Sequence, residues 1–389
     1  MDTDPFVFDF RPGAIHYGRG SVAGLGDVLA DAGRDRGLVV CGSNVGANRD
    51  LMDPIEAGLG ERLAGVFDGT TPDKRVATAV RVADRADELD ADALVPVGGG
   101  SSLDVATVAS ALRADGRTLG DVRDEVEATG GIALPEDEDA LTPLVPVPTT
   151  LAGADMSVIA GVTVDLGGEV VSTGVGGEAL MPAAFCYDPA LFETTPAGVL
   201  AGSAMNGFDK AVETLYSRNR SAITDATATR AIDALLDGLP AMLDSADAMD
   251  RAVAGIVLAQ YGVSRPGSMT LNVLHAFGHG LRDAFGIQQG VAHAVVAPSV
   301  LRDLLESDAD TEALRDAFDA AGAAGVVDAV ARLRDELDLP TRLSAVEGVR
   351  EDGLAEAARV TATDSLLANA PEGYELDAGA TERLLRDAW

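Results

Sequence analysis

The chain has 389 residues, 47% of them hydrophobic, enough to bury one large core or two medium ones, so a globular protein is expected. Its 29 basic and 63 acidic residues give a net charge of −34, which leaves nothing to neutralise phosphates along a groove and argues against nucleic acid as a partner. A run of about 18 apolar residues, the minimum for a membrane span, is absent, so no membrane association is expected.

The N-terminus, Met1-Asp2-Thr3-Asp4, is acidic and lacks the apolar stretch of a signal peptide, which points to a cytoplasmic protein. Up to about residue 190 strand-like and helical patterns alternate. The strand-like runs are 37–41, 63–67, 94–97, 144–147 and 158–164, with helical periodicity between them, as at 76–89. That alternation predicts a parallel sheet covered by helices on both faces. Cys41 and Cys186 lie far apart, each near an apolar strand, and are read as buried thiols of a reducing compartment. The run Glu136-Asp137-Glu138-Asp139 is a solvated loop. From residue 194 onward strand signals vanish. Thr195-Pro196 reads as a helix start, with Thr as N-cap and Pro at the first helical position. Helical runs follow at 196–217, 221–244, 248–263, 268–285, 299–306, 310–337, 350–368 and 378–388. The expected architecture is an α/β domain over 1–190 followed by an all-helical domain over 191–389. Ligands are expected in the cleft between them, at the carboxyl ends of the strands.

Residues 94–104, Leu-Val-Pro-Val-Gly-Gly-Gly-Ser-Ser-Leu-Asp, are the most informative stretch. A buried strand stops at Gly98-Gly99-Gly100 and a helix starts at Ser101-Ser102. Glycines let the backbone approach a ligand closely, and the free N–H groups of a first helical turn point at an anion. The spacing is not that of the G-x-G-x-x-G fingerprint. It is Gly-Gly-Gly-Ser-x-x-Asp, ending at Asp104, and a second strand, 144–147, also ends in hydroxyls at Thr149-Thr150.

Together with Gly18-Arg19-Gly20, Tyr187-Asp188-Pro189 and Asn369-Ala370-Pro371, these segments resemble the group III, iron-containing alcohol dehydrogenase family over nearly the whole chain. The resemblance implies a Rossmann-like NAD(P)-binding domain, a helical catalytic domain (the dehydroquinate synthase-like fold) and a homodimer or larger assembly. It places Gly98, Gly99, Gly100, Ser101, Ser102, Thr149 and Thr150 at the cofactor, with Asp104 bracing the loop. The family's frequent Asp after the first strand aligns with Gly42, beside Ser43. Small neutral groups there lift the repulsion that excludes a 2′-phosphate, so NADP is allowed and modestly favoured over NAD.

In this family an Asp-x-x-x-His helix, the second His of a His-x-x-x-His pair and a His before Gly bind Fe²⁺ or Zn²⁺. Anchoring on Glu213 and Tyr216 puts Asn206 and Lys210 at the first two positions. The pair is kept as His275 and His279, and Gln289 stands before Gly290. Only His279 of the four ligands survives, and a protonated Lys cannot bind a dication. A register using Asp209 would put the acid on another helical face and is rejected. No catalytic metal is therefore expected. Lys210, one of only two lysines in the chain, would do the ion's electrostatic work on a carbonyl oxygen. Asn206 and His293 match the metal-independent maleylacetate reductases, which keep histidines where this chain has Lys210 and Gln289. Lys74 is the other lysine, and a Lys-poor, Asp/Glu-rich surface suits the salt-laden cytosol of a halophile. The reaction expected is interconversion of an alcohol with a small aldehyde, ketone or oxo acid. A dehydroquinate synthase-like lyase and a catalytically silent dinucleotide binder are the alternatives, and steady NAD(P)H turnover separates the first from both.

Overall fold

A computed structural model describes residues 5–389. The chain divides into two compact units. One comprises Phe10–Thr149 and Ala154–Thr194; the other comprises Thr195–Trp389, the short segment Thr150–Gly153 and, of the described residues, 5–9.

The first unit is α/β. Strands β1 (Ala14–Tyr17), β2 (Gly37–Gly42), β3 (Leu63–Thr70), β4 (Ala93–Gly98), β5 (Val147–Pro148), β6 (Ile159–Leu166), β7 (Glu169–Gly176) and β8 (Ala184–Tyr187) appear in that order. A four-stranded sheet of order β3-β2-β4-β5 is parallel throughout, and β1 pairs in parallel with β8. The helices are α1 (Leu25–Asp31), α2 (Ser43–Ala47), α3 (Arg49–Leu59), α4 (Val76–Glu88), α5 (Gly100–Asp115), α6 (Leu119–Thr129) and α7 (Pro189–Phe192).

Successive strand residues point to opposite faces, and both faces of this sheet are apolar. Leu38 and Val40 pack with Val82 of α4, Val105 and Val108 of α5 and Val122 of α6. Val39 and Cys41 pack on the other side with Leu29 of α1 and Met52 and Ile55 of α3. Helices therefore cover both faces, as the alternation predicts. Cys41 and Cys186 are free and buried. Burial, aided by Asp68 for Cys41 and Asp188 for Cys186, pushes the two thiols up to about 12 and about 11, where they are inert.

One expected member of the parallel pattern behaves differently. The 158–164 run forms β6, which pairs antiparallel with β7. Gly167 and Gly168 have φ of 69° and 102°, the positive values of a two-residue hairpin turn, so the chain reverses at once instead of crossing over.

The second unit is helical: α8 (Ala197–Thr214), α9 (Ala222–Gly238), α10 (Ala246–Gln260), α11 (Val273–Phe285), α12 (Gln289–Glu306), α13 (Glu312–Ala320), α14 (Val326–Glu336), α15 (Leu354–Ala362) and α16 (Ala378–Asp387). Strand character does not vanish there, because Ser264–Arg265 and Ser268–Met269 form a small antiparallel ladder. It delays the helix expected from 268 until Asn272, whose side chain caps α11 at the Val273 N–H. The run expected at 310–337 is two helices, since Gly322 and Gly325 take φ of 75° and 154° and end the helical path. Pro196, not Thr195, is the N-cap of α8. Among the described residues no helix is long and apolar enough to cross a membrane.

Candidate active site

In the α/β unit β4 ends at Gly98, whose φ of 121° is open to glycine and strained for other residues. Gly99 is extended and is the N-cap of α5 without any side-chain cap, so the first N–H groups of a 16-residue helix have no partner from a capping side chain. The Thr149 N–H donates to the Gly98 carbonyl at 3.0 Å, which ties the end of β5 to the loop. Gly99, Gly100, Ser101 and Thr149 thus converge on one strand-to-helix turn, and Ser43 is exposed at the start of α2 after β2. Ser102 is buried, with its Oγ beside Gly98 and bonded to Thr70 Oγ1 at 3.0 Å, joining α5 to β3. Asp104, expected to brace the loop, pairs with Lys74 Nζ at 2.5 Å.

In the helical unit the chemistry gathers on α8. Asn206, Asp209, Lys210 and Glu213 recur at intervals of three and four, so all four line one face. The sequence reading placed Asp209 on another face. The structure corrects this: Asp209 is fully buried and its Oδ2 lies 3.1 Å from His293 Nδ1. Positions 206 and 209 are only about 60° apart around an α-helix, less than the width of an apolar stripe.

The segment Thr150–Gly153 lies on α8. The Leu151 N–H donates to Ser203 Oγ at 3.0 Å. A Cβ on Gly207 would sit 2.0 Å from the Leu151 carbonyl oxygen, so only glycine lets the segment lie there. Gly153, with φ of 63°, covers the Lys210 stem: a Cβ there would meet Lys210 Cδ at 3.4 Å. Lys210 is 8% exposed.

Two buried histidine–carboxylate pairs stand beside it. Glu213 Oε1 accepts from the His275 backbone N–H at 3.0 Å, and Oε2 lies 2.5 Å from His275 Nδ1. Burial raises Glu213 to about 8. Burial, then the charges of Lys210, His293 and His279, hold His275 well below the usual imidazole range. At neutral pH the shared proton therefore rests on the Glu213 side and His275 is uncharged. His293 is drawn down to about 3 by burial and by His279 and Lys210, while burial raises Asp209 well above the carboxylate range against the opposing pull of Lys210. The two imidazoles meet edge to face with centroids 4.7 Å apart. Gly278 makes that possible, since a Cβ there would lie 2.2 Å from His293 Nε2. Gly290 presses the start of α12 onto α8, its missing Cβ falling 1.7 Å from the Gly202 carbonyl oxygen and 3.3 Å from the Asn206 nitrogen, while the Gln289 side chain lies against Gly278.

Buried polar atoms without a hydrogen-bond partner among the described residues concentrate here: Asn206 Oδ1, Asp209 Oδ1 and Oδ2, His275 Nε2, His293 Nδ1 and Nε2, and Gln289 Nε2. His279 lies close enough to His275 and His293 to act on both electrostatically, and it is more exposed than they are. Its Nδ1 is 2.8 Å from Asp364 Oδ2, and the side chain is 31% exposed, so the member of the pair with a buried free nitrogen is His275. Against burial, the His279 contact and the Leu366 N–H keep Asp364 below the usual carboxylate range. Asp364 was not anticipated, and neither was the segment over Lys210; an acid 85 residues from its histidine leaves no local spacing to read.

Two amides, one ammonium and a single imidazole do not fit Fe²⁺ or Zn²⁺, which take thiolate, imidazole and carboxylate donors. Among the described residues no group of three His, Cys, Asp or Glu side chains is arranged to hold a metal ion.

A parallel-sheet unit with a glycine turn at a helix N-terminus and a helical unit with a buried polar cluster define the class, a dehydrogenase-type oxidoreductase. The chain belongs to the iron-containing alcohol dehydrogenase family: residues 12–189 match the family's model and residues 200–388 match that of its C-terminal region. Enzymes of this kind act on CH–OH groups. Maleylacetate reductase 2 of Cupriavidus pinatubonensis is 30% identical over 299 residues, 77% of this chain and 74% of that protein. Among solved structures, maleylacetate reductase from Rhizobium sp. strain MTP-10005 is similar with TM-score 0.81 and 23% identity, covering 100% and 99% of the two chains. Sulfoacetaldehyde reductase from Bifidobacterium kashiwanohense, in complex with NAD+, has TM-score 0.85 and 20% identity over 99% of each chain.

Proposed function

We propose that this protein is an NAD(P)H-dependent reductase of a small aldehyde, ketone or oxo acid, working without a catalytic metal. The α/β unit binds the dinucleotide at Gly98, Gly99, Gly100, Ser101 and Thr149, with Ser43 at its margin. The helical unit supplies the catalytic groups. The observation that carries the reading is Lys210: an ammonium, nine-tenths buried, at a family ligand position and surrounded by unpartnered polar atoms.

The dinucleotide, when bound, would supply a hydride to the carbonyl carbon, which would leave negative charge on the carbonyl oxygen. Lys210 stabilises that charge and gives the oxygen its proton. Asn206, His275 and Gln289 supply neutral hydrogen-bonding groups that orient the substrate. His293 packs behind His275. His279, with one side on solvent and its Nδ1 held by Asp364, returns a proton to the site. The likeness to maleylacetate reductases makes maleylacetate the first substrate to try. We further propose a cytoplasmic, homo-oligomeric enzyme of a high-salt cell, on its charge and family.

The test is steady oxidation of NADH and NADPH with a carbonyl panel in molar KCl, with and without EDTA. Turnover that EDTA leaves untouched is expected. Stoichiometric iron or zinc with EDTA-sensitive activity overturns the metal-free reading.

A further inference from the structure

The loop after β3 carries a second unusual lysine. Lys74 has φ of 50°. A long side chain in the left-handed region is strained, and such strain persists where the surrounding structure enforces it. Here it is enforced. The Lys74 N–H donates to the Thr71 carbonyl at 3.0 Å, and the Thr163 N–H of β6 donates to the Lys74 carbonyl at 2.9 Å. Thr163 Oγ1 donates to the Asp73 carbonyl at 2.6 Å. This turn, fastened on both sides, delivers the ammonium to Asp104 Oδ2 at 2.5 Å, with Lys74 31% and Asp104 14% exposed.

Asp104 lies four residues into α5, about 6 Å along the axis from its first residue. That is within reach of a lysine stem. A pyrophosphate at this helix start meets about half a unit of positive charge from the helix itself. It also meets the negative charge of Asp104, and a bare carboxylate one turn away would repel it. The neighbouring cations are otherwise engaged: Arg75 pairs with Asp73, and Arg81 lies over the Phe67 ring. Lys74 is the ammonium positioned to offset both charges.

We propose that Lys74 is a cofactor-binding residue, its ammonium screening Asp104 and contacting the pyrophosphate of the dinucleotide. The inference rests on the cofactor assignment made above. Equilibrium binding of NADH, NADPH and ADP-ribose is measured on the wild type, K74M and K74R, at the lowest salt that keeps the protein folded. K74M weakens all three by a common factor of about ten to a hundred, the worth of one charge-assisted hydrogen bond. K74R, which keeps the charge, recovers most of the affinity, and both variants melt within a few degrees of the wild type. Unchanged affinity in K74M overturns the proposal. A loss confined to NADPH overturns it too, because Lys74 would then read the 2′-phosphate. A wild type that binds none of the three ligands refutes the cofactor assignment itself, whereas a binding wild type with an indifferent K74M refutes only the role of Lys74.

Discussion

The turn at Gly98–Gly100 and the cluster around Lys210 are built from different materials. The turn is backbone: an open φ, an uncapped helix start and a strand end tied by one N–H bond. The cluster is side chain: an ammonium, two carboxyls and two imidazoles drawn from α8, α11 and α12 and buried to 8% exposure or less. A backbone site tolerates many neighbours but no Cβ on its critical glycine. A side-chain site tolerates isosteres but depends on every charge being answered. Substitutions should therefore fail differently in the two places.

The sharpest contrast comes from Gly99→Val, which puts two methyl groups where the backbone must approach a pyrophosphate. Dinucleotide binding is expected to fall below detection in a calorimetric titration while the melting temperature holds. Retained affinity would remove the turn from the cofactor site. Lys210→Ala comes next. Turnover should fall on the order of 10²- to 10³-fold, as for other pre-organised electrostatic groups. Cofactor affinity should not change, so stopped-flow hydride transfer and NAD(P)H titration together separate the two regions. Equal damage to both measurements would mean that the regions are not functionally distinct.

Asp364→Asn is milder. It leaves His279 in place without its carboxylate partner, and kcat should drop by less than the roughly hundredfold typical of losing a whole acid–base group. The pH profile of kcat should also move, which purely structural damage would not produce. The smallest effect is on stability. Glu213 titrates near 8 in the fold against 4.5 ordinarily, so the native state binds more protons between those values, and stability falls as pH rises through that window. His293, drawn from 6.5 to about 3, acts in the opposite sense: stability rises with pH across that lower range. The two windows oppose each other between 4.5 and 6.5, so Glu213→Gln should lessen the fall in stability most clearly from 6.5 to about 8, as read from urea unfolding across that range.

The same division governs what could be read in advance. Continuous apolar runs mark β2, β4 and the start of β3 close to their observed limits, and three consecutive glycines mark the turn, because each signal is local. The β6–β7 hairpin was misassigned although Gly167-Gly168 announces a tight reversal. In the helical unit Lys210 was legible by its rarity and by its place in a family pattern. Asp209 was misjudged by treating a 60° offset as a different face. The pairing of His279 with Asp364 and the fit of Gly278 around His293 depend on how helices pack, and no spacing in the chain encodes that.

The segment Thr150–Gly153 bears on how the molecule can be taken apart. It belongs to the helical unit, yet it precedes Thr195 by more than forty residues of α/β chain. A fragment starting near residue 191 would carry every titratable group of the Lys210 cluster but not the four residues that lie along α8. Its Lys210 stem would be open to water where Gly153 now covers it. Such a severed half would keep the catalytic side chains and lose the dryness on which the buried ammonium's electrostatic strength depends. Because α/β chain flanks residues 150–153 on both sides, no single cut parts the units cleanly: a cut before residue 150 keeps the segment with the helical side only by taking residues 154–194 along with it.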